Sequence, residues 1–326
     1  MKDRTVLNEN HKLAFGCSGI AGLYRQVSEL EAETVLQAAW DLGIRHFDTA
    51  PHYGHGSAEH RLGRFLRGRS GWVLSTKVGR LLAPDLSPPA VANGFHSALP
   101  FSQRFDFSYD GIMRSVEDSF QRLGLNRIDI AYVHDIGDPD AGTNTHAHFQ
   151  QLLDGGARAL EELKSSDVIG SVGLGVNTVE VCERLIGKMP IDLILLAGRY
   201  TLLDQSAEVR LFERLRAHKI QLVIGGVYNS GILATGPVAG ANYDYAPATP
   251  DILARVREIE TICHKHDTAL ATVAIQFPSR SDVVASTLIG TAKVRSLERN
   301  VAQFNETVPD ELWSALKGAG VIGATK

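Results

Sequence analysis

The segment IGSVGLGVN (169–177) is followed at short intervals by IDLILLAGRY (191–200) and IQLVIGGVY (220–228), all near-continuous apolar runs of strand length. Strands that are buried on both faces have this composition. Five more runs of the same kind occur in the chain: LAFGCSG (13–19), IRHFDTA (44–50), WVLSTK (72–77), RIDIAYVHD (127–135) and ASTLIG (285–290). The sequence therefore predicts eight buried strands.

Amphipathic segments with a 3.6-residue period lie between most of these runs. Clear examples cover residues 29–43, 110–124 and 251–266, and the first of them ends in Gly43, as is typical of a helix C-terminus. Strands that alternate with helices form parallel sheets, and a count of eight favours closure. The predicted fold is an α/β protein with a single (β/α)8 TIM barrel.

One barrel domain is predicted to span residues 1–326. An open, doubly wound sheet is the alternative, but it usually has a GxGxxG turn after its first strand, and residues 16–22 read GCSGIAG. Two long connections, 80–108 and 136–150, are rich in Pro, Gly, Asp and Asn and follow predicted strand ends. We expect them to be substrate loops at the C-terminal face of the barrel.

The composition argues against several classes of protein. The chain of 326 residues is 44% hydrophobic and 21% charged, with a net charge of -4, so it has no basic surface for nucleic acid or an anionic membrane. It has no apolar run of membrane-spanning length, and its first residues, MKDRTVLNENHK, lack the apolar core of a secretory signal. The three cysteines, Cys17, Cys182 and Cys263, form no CxxC motif, so we expect reduced thiols in a cytoplasmic protein.

Four titratable residues fall at predicted strand ends or just beyond them: Asp48, Tyr53, Lys77 and His134. In a barrel these strand ends open toward one mouth. A phenol can protonate a carbonyl oxygen but does not ionise unaided at neutral pH. A nearby ammonium favours the phenolate, a carboxylate keeps that ammonium charged, and an imidazole can donate or relay a proton. Since none of these groups accepts hydride, a nicotinamide cofactor and a small-molecule substrate are predicted.

Each of the four residues also has a simpler interpretation, such as a turn cap for Asp48 or a structural role for His134. Their joint placement at successive strand ends favours a shared site. A metal centre is not predicted. A barrel metallohydrolase needs HxH at the end of its first strand, whereas HxH occurs here at 146–148 and 264–266 and not at the end of that strand. His264 and His266 lie on a predicted helix, where positions i and i+2 face apart.

The segment GIRHFDTAPHYGHGSAEHRLG (43–63) resembles the signature of the aldo-keto reductase superfamily. STK (75–77) and DIAYVHD (129–135) contain the lysine and histidine that complete the pattern. The resemblance extends from about residue 13 to residue 315. It implies a barrel, NAD(P)-linked oxidoreduction, and a catalytic set that consists of Asp48, Tyr53, Lys77 and His134.

The same resemblance implies the cofactor contacts. Asn177 of GLGVN matches the residue that binds the nicotinamide amide, and LIGTAKVRSLERN (288–300) is similar to a cofactor-clamping segment that ends in Asn300. Glycines in GVYNSGILATG (226–236) favour close approach of the backbone to a pyrophosphate, with a plain loop as the alternative. The predicted cofactor contacts are Gly16, Cys17, Asp48, Asn177, Gly226, Tyr228, Asn229, Gly231, Ile289, Gly290, Thr291 and Asn300.

The sequence departs from the wider family at several positions. Ala197 stands where many members have a glutamine that holds the carboxamide. Gly225 or Gly226 stands where many have an aromatic residue that stacks on nicotinamide, and Tyr228 is the candidate replacement.

NADP-preferring members place cationic side chains around the 2′-phosphate. Gly290 and Ser296 align with those positions here, so the resemblance favours NAD over NADP. Three basic residues nearby could compensate: Lys293, Arg295 and Arg299.

Residues 105–125, 195–205 and 225–233 resemble a bacterial group that contains L-fucose (D-threo-aldose) 1-dehydrogenases and pyridoxal 4-dehydrogenases. This implies oxidation of a cyclic hemiacetal to its lactone. The expected substrate contacts are His52, Tyr53, His134 and Arg199, with Arg80, Phe101 and Tyr132 as further candidates. The alternatives are an NADPH-dependent carbonyl reductase and a non-catalytic cofactor-binding subunit. Such subunits often have an N-terminal extension, and a first strand near residue 13 argues against one.

Overall fold

The computed structural model describes residues 6–96 and 98–323. Residues 1–5 and 324–326 of the predicted domain, and Ser97 in the predicted loop 80–108, lie outside the described residues. No described helix combines the length and the hydropathy that crossing a membrane would require.

The described strands are β1 (Leu13–Gly16), β2 (His46–Asp48), β3 (Val73–Val78), β4 (Arg80–Pro84), β5 (Phe101–Phe105), β6 (Ile128–His134), β7 (Ile169–Val176), β8 (Leu193–Ala197), β9 (Gln221–Gly225), β10 (Asn242–Tyr243), β11 (Ala246–Pro247) and β12 (Val284–Gly290). Eight of them close into a barrel in the order β1-β12-β9-β8-β7-β6-β3-β2. Every neighbouring pair in this ring is parallel. The predicted (β/α)8 barrel is confirmed, and the open-sheet alternative is wrong because β1 pairs with both β2 and β12.

The described α-helices are α1 (Glu29–Asp41), α2 (Ser57–Leu66), α3 (Tyr109–Leu123), α4 (His146–Gln151), α5 (Ala157–Ser165), α6 (Val179–Leu185), α7 (Ser206–His218), α8 (Ile232–Thr235), α9 (Pro250–Lys265), α10 (Leu270–Gln276), α11 (Val294–Asn305) and α12 (Asp310–Gly318). The three helices expected from periodicity are α1, α3 and α9, and their ends lie within two residues of the predicted ones. Local signals explain these ends. Ser28 and Glu31 form a capping box before α1, and Gly124 ends α3 in the left-handed conformation.

The side chains of the barrel strands alternate between two environments. In β3, Val73 points into the barrel interior, whereas Leu74 packs between the barrel and the helices. In β6, Ile130 and Tyr132 point inward while Ala131 packs outward. Because side chains in a strand have a period of two, the interior set continues along each strand to its carboxyl end. That alternation brings the last inward-facing residues of neighbouring strands to the mouth of the barrel.

The two long connections contain secondary structure that the sequence did not predict. Within 80–108, β4 and β5 form an antiparallel hairpin with Arg80 opposite Phe105. Within 136–150, the end of the segment already belongs to α4. Alternating exposure along β5 and its Pro-rich connection to β4 make this hairpin unlike the buried barrel strands, so its sequence pattern is that of a loop.

Helices α2 and α3 approach each other closely. A methyl group built on Gly63 of α2 would collide with the carbonyl oxygen of Leu123 in α3. A buried ion pair joins the same two helices, since Nε of Arg122 lies 2.5 Å from Oε2 of Glu59. Glu59 also accepts a 2.7 Å hydrogen bond from Thr76, which precedes Lys77 in β3. Gly63 thus permits the close packing of α2 on α3, and Glu59 links α2 to both α3 and β3.

We predict that Gly63→Ala lowers the free energy of unfolding by about 1–3 kcal/mol, because α2 must move away from a backbone atom. Urea unfolding followed by circular dichroism measures the change. Gly318→Ala in α12 is the control, since a methyl group there meets no atom within 4 Å. The explanation fails if both substitutions have the same effect.

Candidate active site

A cleft of about 260 Å³ opens at the carboxyl ends of the barrel strands. Its two sides differ in chemistry. We call the side formed by β2, β3 and β6 with the loop after β2 the polar wall; its lining residues are Asp48, His52, Tyr53, Lys77, His134 and Asp135. We call the side formed by β8, β9, β12 and β1 the glycine wall; its lining residues include Gly16, Leu195, Ala197, Gly225, Gly226, Leu288 and Gly290. The ring order of the strands makes each wall continuous.

Lys77 and Asp48 form a buried ion pair in the polar wall. The Nζ atom of Lys77 lies 2.6 Å from Oδ2 of Asp48, and the two side chains are only 2% and 1% exposed. Lys77 also donates to the Thr49 carbonyl oxygen at 2.9 Å, and Ser75 donates to Oδ1 of Asp48 at 2.8 Å. These bonds satisfy much of the hydrogen-bonding capacity of both charges, which is the condition under which a buried ion pair is tolerated.

The charge of Lys77 is maintained despite burial. Loss of water lowers the pKa of the Lys77 ammonium, but the attraction of Asp48 and the interaction with Tyr53 more than compensate, so its pKa is raised above the usual value. Gly175 of β7 leaves room for this side chain. A Cβ atom there would lie 3.4 Å from Cε of Lys77 and 3.3 Å from Cβ of Tyr132. Lys77 is therefore a fixed positive charge at the mouth of the barrel.

Tyr53 lies directly over that charge. It belongs to a tight loop after β2 in which its amide donates to the Ala50 carbonyl oxygen at 3.1 Å. The Nζ atom of Lys77 is 4.6 Å from the centre of the Tyr53 ring. Burial raises the pKa of the Tyr53 phenol to about 12, even though Lys77 acts to lower it. Lys77 lowers the pKa of Tyr53, as predicted from the sequence, but burial raises it by more. The phenol is therefore neutral at rest.

His134 stands beside Tyr53 as the last residue of β6. The two rings are perpendicular, with their centres 6.0 Å apart. Burial, together with the positive charges of Arg80 and Lys77, lowers the pKa of His134 well below its usual value. Its imidazole is therefore neutral near pH 7. The buried Nδ1 atom has no hydrogen-bond partner among the described residues.

The β4–β5 hairpin supports the outer part of the polar wall. Arg80 forms an ion pair with Asp135, and its Nη1 atom lies 3.1 Å from Oε1 of Gln103 and 3.0 Å from Nδ1 of His52. Burial and the charge of Arg80 lower the pKa of His52 to about 3. The predicted loop region therefore does reach the site, through Arg80 and Gln103.

The predicted site residues do not all line the cleft. All four predicted catalytic residues do so, as does His52. Of the remaining predicted cofactor contacts, those that line it are Gly16, Asn177, Gly226 and Gly290. Those outside the lining are Cys17, Tyr228, Asn229, Gly231, Ile289, Thr291 and Asn300. Cys17 and Ile289 are buried in the layer between barrel and helices.

Two of the predicted contacts outside the cleft lining bond to each other. The hydroxyl group of Tyr228 donates to Oδ1 of Asn300 at 3.4 Å. Arg199 does not line the cleft either. Its Nε atom donates to the carbonyl oxygen of Asn177 at 2.8 Å, and its guanidinium pairs with Asp204 and Asp244. Arg199 therefore holds the backbone of a lining residue in place.

Among the further substrate candidates, Tyr132 is completely buried inside the barrel and does not line the cleft. Phe101 lies at the start of β5, where its carbonyl oxygen contacts His55. In the described part of the chain, no group of three or more His, Cys, Asp or Glu side chains is arranged to hold a metal ion.

The glycine wall leaves little space for side chains at its strand ends. A Cβ atom on Gly290 would lie 3.1 Å from the Gly16 carbonyl oxygen, and one on Gly226 would lie 3.1 Å from the Gly198 amide nitrogen. Gly226 also has a φ of +64°, which favours glycine. Bare backbone at these strand ends, opposite the acid–base residues, fits a nicotinamide ring stacked on this wall.

Some lining residues were missed by sequence reasoning. Asp135 directly follows His134, so its position at a strand end was a usable signal. Tyr245 is 75% exposed and lies in the turn between β10 and β11, strands of two residues each, so no periodic pattern in the sequence predicts its approach to the cleft.

Comparison with known proteins gives consistent matches. The sequence profile of the aldo/keto reductase family matches residues 12–320. A pyridoxal 4-dehydrogenase from Microbacterium luteolum is 42% identical over 321 residues, covering 95% of this chain and 94% of the relative. A D-threo-aldose 1-dehydrogenase from a Pseudomonas species is 36% identical over 317 residues, with coverage of 95% and 94%. Among solved structures, the holo form of an aldo-keto reductase from Bacillus halodurans has a TM-score of 0.71 at 25% identity, covering 94% of this chain and 91% of its own.

We predict that Lys77→Met lowers the free energy of unfolding by about 3–5 kcal/mol, because it leaves the Asp48 carboxylate buried without its partner. The double variant Lys77→Met/Asp48→Asn should regain at least half of that loss, since no charge then remains. Chemical denaturation of the three proteins measures both values.

Arg216→Met provides the matched control for this cycle. Its guanidinium pairs with Asp282 at 2.7 Å, but the two side chains are 50% and 68% exposed, so the loss should stay below about 1 kcal/mol. A Lys77→Met protein as stable as the control variant would contradict the account of the buried pair.

Proposed function

Because the chain belongs to the aldo/keto reductase family, we propose that it is an NAD(P)-dependent dehydrogenase that oxidises a cyclic hemiacetal to its lactone. The substrate class is an aldose of the L-fucose or D-threo type, or pyridoxal. The two relatives named for such reactions, at 42% and 36% identity, support this class. One observation carries the proposal: at the mouth of the barrel, Tyr53 contacts both the charged Lys77–Asp48 pair and His134.

The proposed reaction removes a hydride and a proton from one CH–OH group. A nicotinamide cofactor supplies the hydride acceptor when bound. The glycine wall and Asn177 would hold it, in front of the polar wall. Tyr53, as phenolate or through His134, takes the proton of the substrate hydroxyl as the carbonyl forms, and that proton then passes to solvent. Lys77 stabilises the phenolate, and Asp48 keeps Lys77 charged and oriented.

We propose NAD rather than NADP as the cofactor. Gly290 and Ser296 offer no cationic side chain at the positions that align with 2′-phosphate contacts. The exposed Lys293, Arg295 and Arg299 lie on the same segment, so the comparison of kcat/KM for the two cofactors is a direct test. A preference for NADP would contradict this proposal.

Reduction of a carbonyl compound with NADPH is the second candidate. It is favoured by the neutral phenol, because burial raises the pKa of Tyr53 to about 12 and reduction needs Tyr53 as a proton donor. The same residues serve both directions, so the preferred direction depends on substrate and cofactor supply rather than on a different site.

The proposal predicts that the protein, mixed with NAD or NADP and L-fucose, D-arabinose or pyridoxal, produces reduced cofactor and the matching lactone. Absorbance of the reduced cofactor measures the rate, and mass spectrometry identifies the product. Activity on carbonyl reduction alone would favour the second candidate.

Tyr53→Phe should lower turnover by at least about 100-fold, because the proton then has no acceptor at the reacting oxygen. Cofactor affinity, measured by fluorescence quenching, should be unchanged. Tyr109→Phe is the control, since that hydroxyl bonds to Glu162 away from the cleft. Lost cofactor affinity with retained turnover would contradict the assigned role.

The pH dependence follows from the raised pKa of Tyr53, which is about 12. Oxidation uses the phenolate, whose fraction grows with pH below that pKa, so kcat/KM for oxidation should rise roughly tenfold per pH unit between about pH 6 and about pH 9. Reduction uses the phenol and should stay flat over that range. Steady-state profiles in both directions measure this, and a plateau of the oxidation rate below about pH 8 would contradict it.

A further inference from the structure

Asp135 lies in the polar wall but has no part in the proton transfer described above. It follows β6 with a left-handed φ of +48°, and its side chain is 14% exposed and lines the cleft. Its Oδ2 atom pairs with Arg80 and lies 3.4 Å from Nε2 of His134. Its Oδ1 atom makes no hydrogen bond to any residue in 6–96 or 98–323. The carboxylate is thus anchored on one side and open on the other.

The anchor is rigid. Arg80 is 6% exposed and is itself bonded to Gln103 across the β4–β5 hairpin. The Thr143 hydroxyl bonds to the carbonyl oxygen of Asp135, and the Asp135 amide donates to the Gly175 carbonyl oxygen at 2.9 Å. Both the backbone and the side chain of Asp135 are therefore fixed, so the open oxygen keeps its place when a substrate enters.

A carboxylate that lines a cleft and has one oxygen without a partner within the described residues favours a substrate that offers that oxygen a hydrogen-bond donor. When a substrate displaces water from this oxygen, leaving the acceptor without a hydrogen-bond partner is unfavourable. A substrate hydroxyl group that donates to the oxygen removes that penalty. A substrate anion in the same place is repelled. Because Asp135 touches His134, and the His134 ring is perpendicular to that of Tyr53, the selected group must lie close to the reacting carbon.

We propose that Asp135 is a specificity-determining residue that accepts a hydrogen bond from a substrate hydroxyl group next to the reacting carbon and rejects substrates with an anionic group there. Arg80 is its positioning residue. This assignment rests on the proposed function for the nature of the substrate, but the role of Asp135 in selection can be measured separately.

The first experiment compares kcat/KM for D-arabinose and for 2-deoxy-D-ribose, which is the same sugar without its 2-hydroxyl group. The wild-type protein should prefer D-arabinose by about 10- to 100-fold, as expected for a hydrogen bond to a charged acceptor. In Asp135→Asn the amide oxygen faces Arg80 and the NH₂ group faces the cleft. The preference should then fall to within about threefold, mainly through KM.

The ratio of kcat/KM for the two sugars separates recognition by Asp135 from a purely structural role. A general disturbance of the cleft lowers kcat/KM for both sugars alike and leaves the ratio unchanged. Asp282→Asn is the matched control. That aspartate also pairs with an arginine, Arg216, but it precedes β12 at the opposite end of the barrel, so the ratio should stay at the wild-type value. If Asp135→Asn does not fold, Asp135→Glu keeps the charge for Arg80 and displaces the open oxygen, and the preference should fall in the same way.

A second experiment does not depend on the natural substrate. Reduction of 2-hydroxybenzaldehyde and of 2-carboxybenzaldehyde is compared in the wild type and in Asp135→Asn. The wild type should prefer the hydroxyl compound by about tenfold or more, and the variant should lose or reverse that preference.

The two experiments distinguish the two proposals. In one outcome the wild type oxidises neither D-arabinose nor pyridoxal but prefers 2-hydroxybenzaldehyde to 2-carboxybenzaldehyde, and Asp135→Asn lacks that preference. The proposed function then fails, and the assignment of Asp135 stands. If the selectivity ratios of the variant equal those of the wild type, or the wild type has no preference, the assignment of Asp135 is overturned.

Discussion

The site depends on an ion pair that is almost completely removed from water. Lys77 and Asp48 are 2.6 Å apart at the mouth of the barrel, and neither charge would be stable there without the other. The hydrogen bonds from Ser75 and to the Thr49 carbonyl oxygen hold the pair in one arrangement. That arrangement places a fixed positive charge under Tyr53, and the acid–base chemistry proposed for this protein follows from it.

Barrel closure explains why residues far apart in the chain meet at this pair. Strand alternation assigns Asp48, Lys77 and His134 to the inward face, because each lies two residues after an inward-facing neighbour. Parallel pairing then brings their strand ends to the same rim. Eight apolar runs and four polar residues at or just beyond their ends were therefore enough to predict the barrel and the meeting of those four side chains in one cleft.

Other features were beyond sequence reasoning for physical reasons. The β4–β5 hairpin is partly exposed and lacks the apolar continuity of a barrel strand, so its sequence does not predict strands. The pKa of Tyr53 depends on how much water burial removes, and the residue pattern shows only the opposing charge of Lys77. The roles expected for Tyr228 and Arg199 depended on side-chain direction, which alignment of motifs does not fix. In the structure Arg199 donates to the Asn177 carbonyl oxygen and Tyr228 to Asn300, and neither residue lines the cleft.

The central claim is that Tyr53 rests as a neutral phenol against the charged Lys77. The most direct test is an NMR titration of the protein with ¹³Cζ-labelled tyrosine, in which the Tyr53 signal among eight tyrosines is assigned by its absence from Tyr53→Phe. We expect that signal to keep the chemical shift of a neutral phenol up to at least about pH 10, in line with a pKa raised to about 12. Ionisation of Tyr53 with a midpoint below about pH 9 would contradict the account.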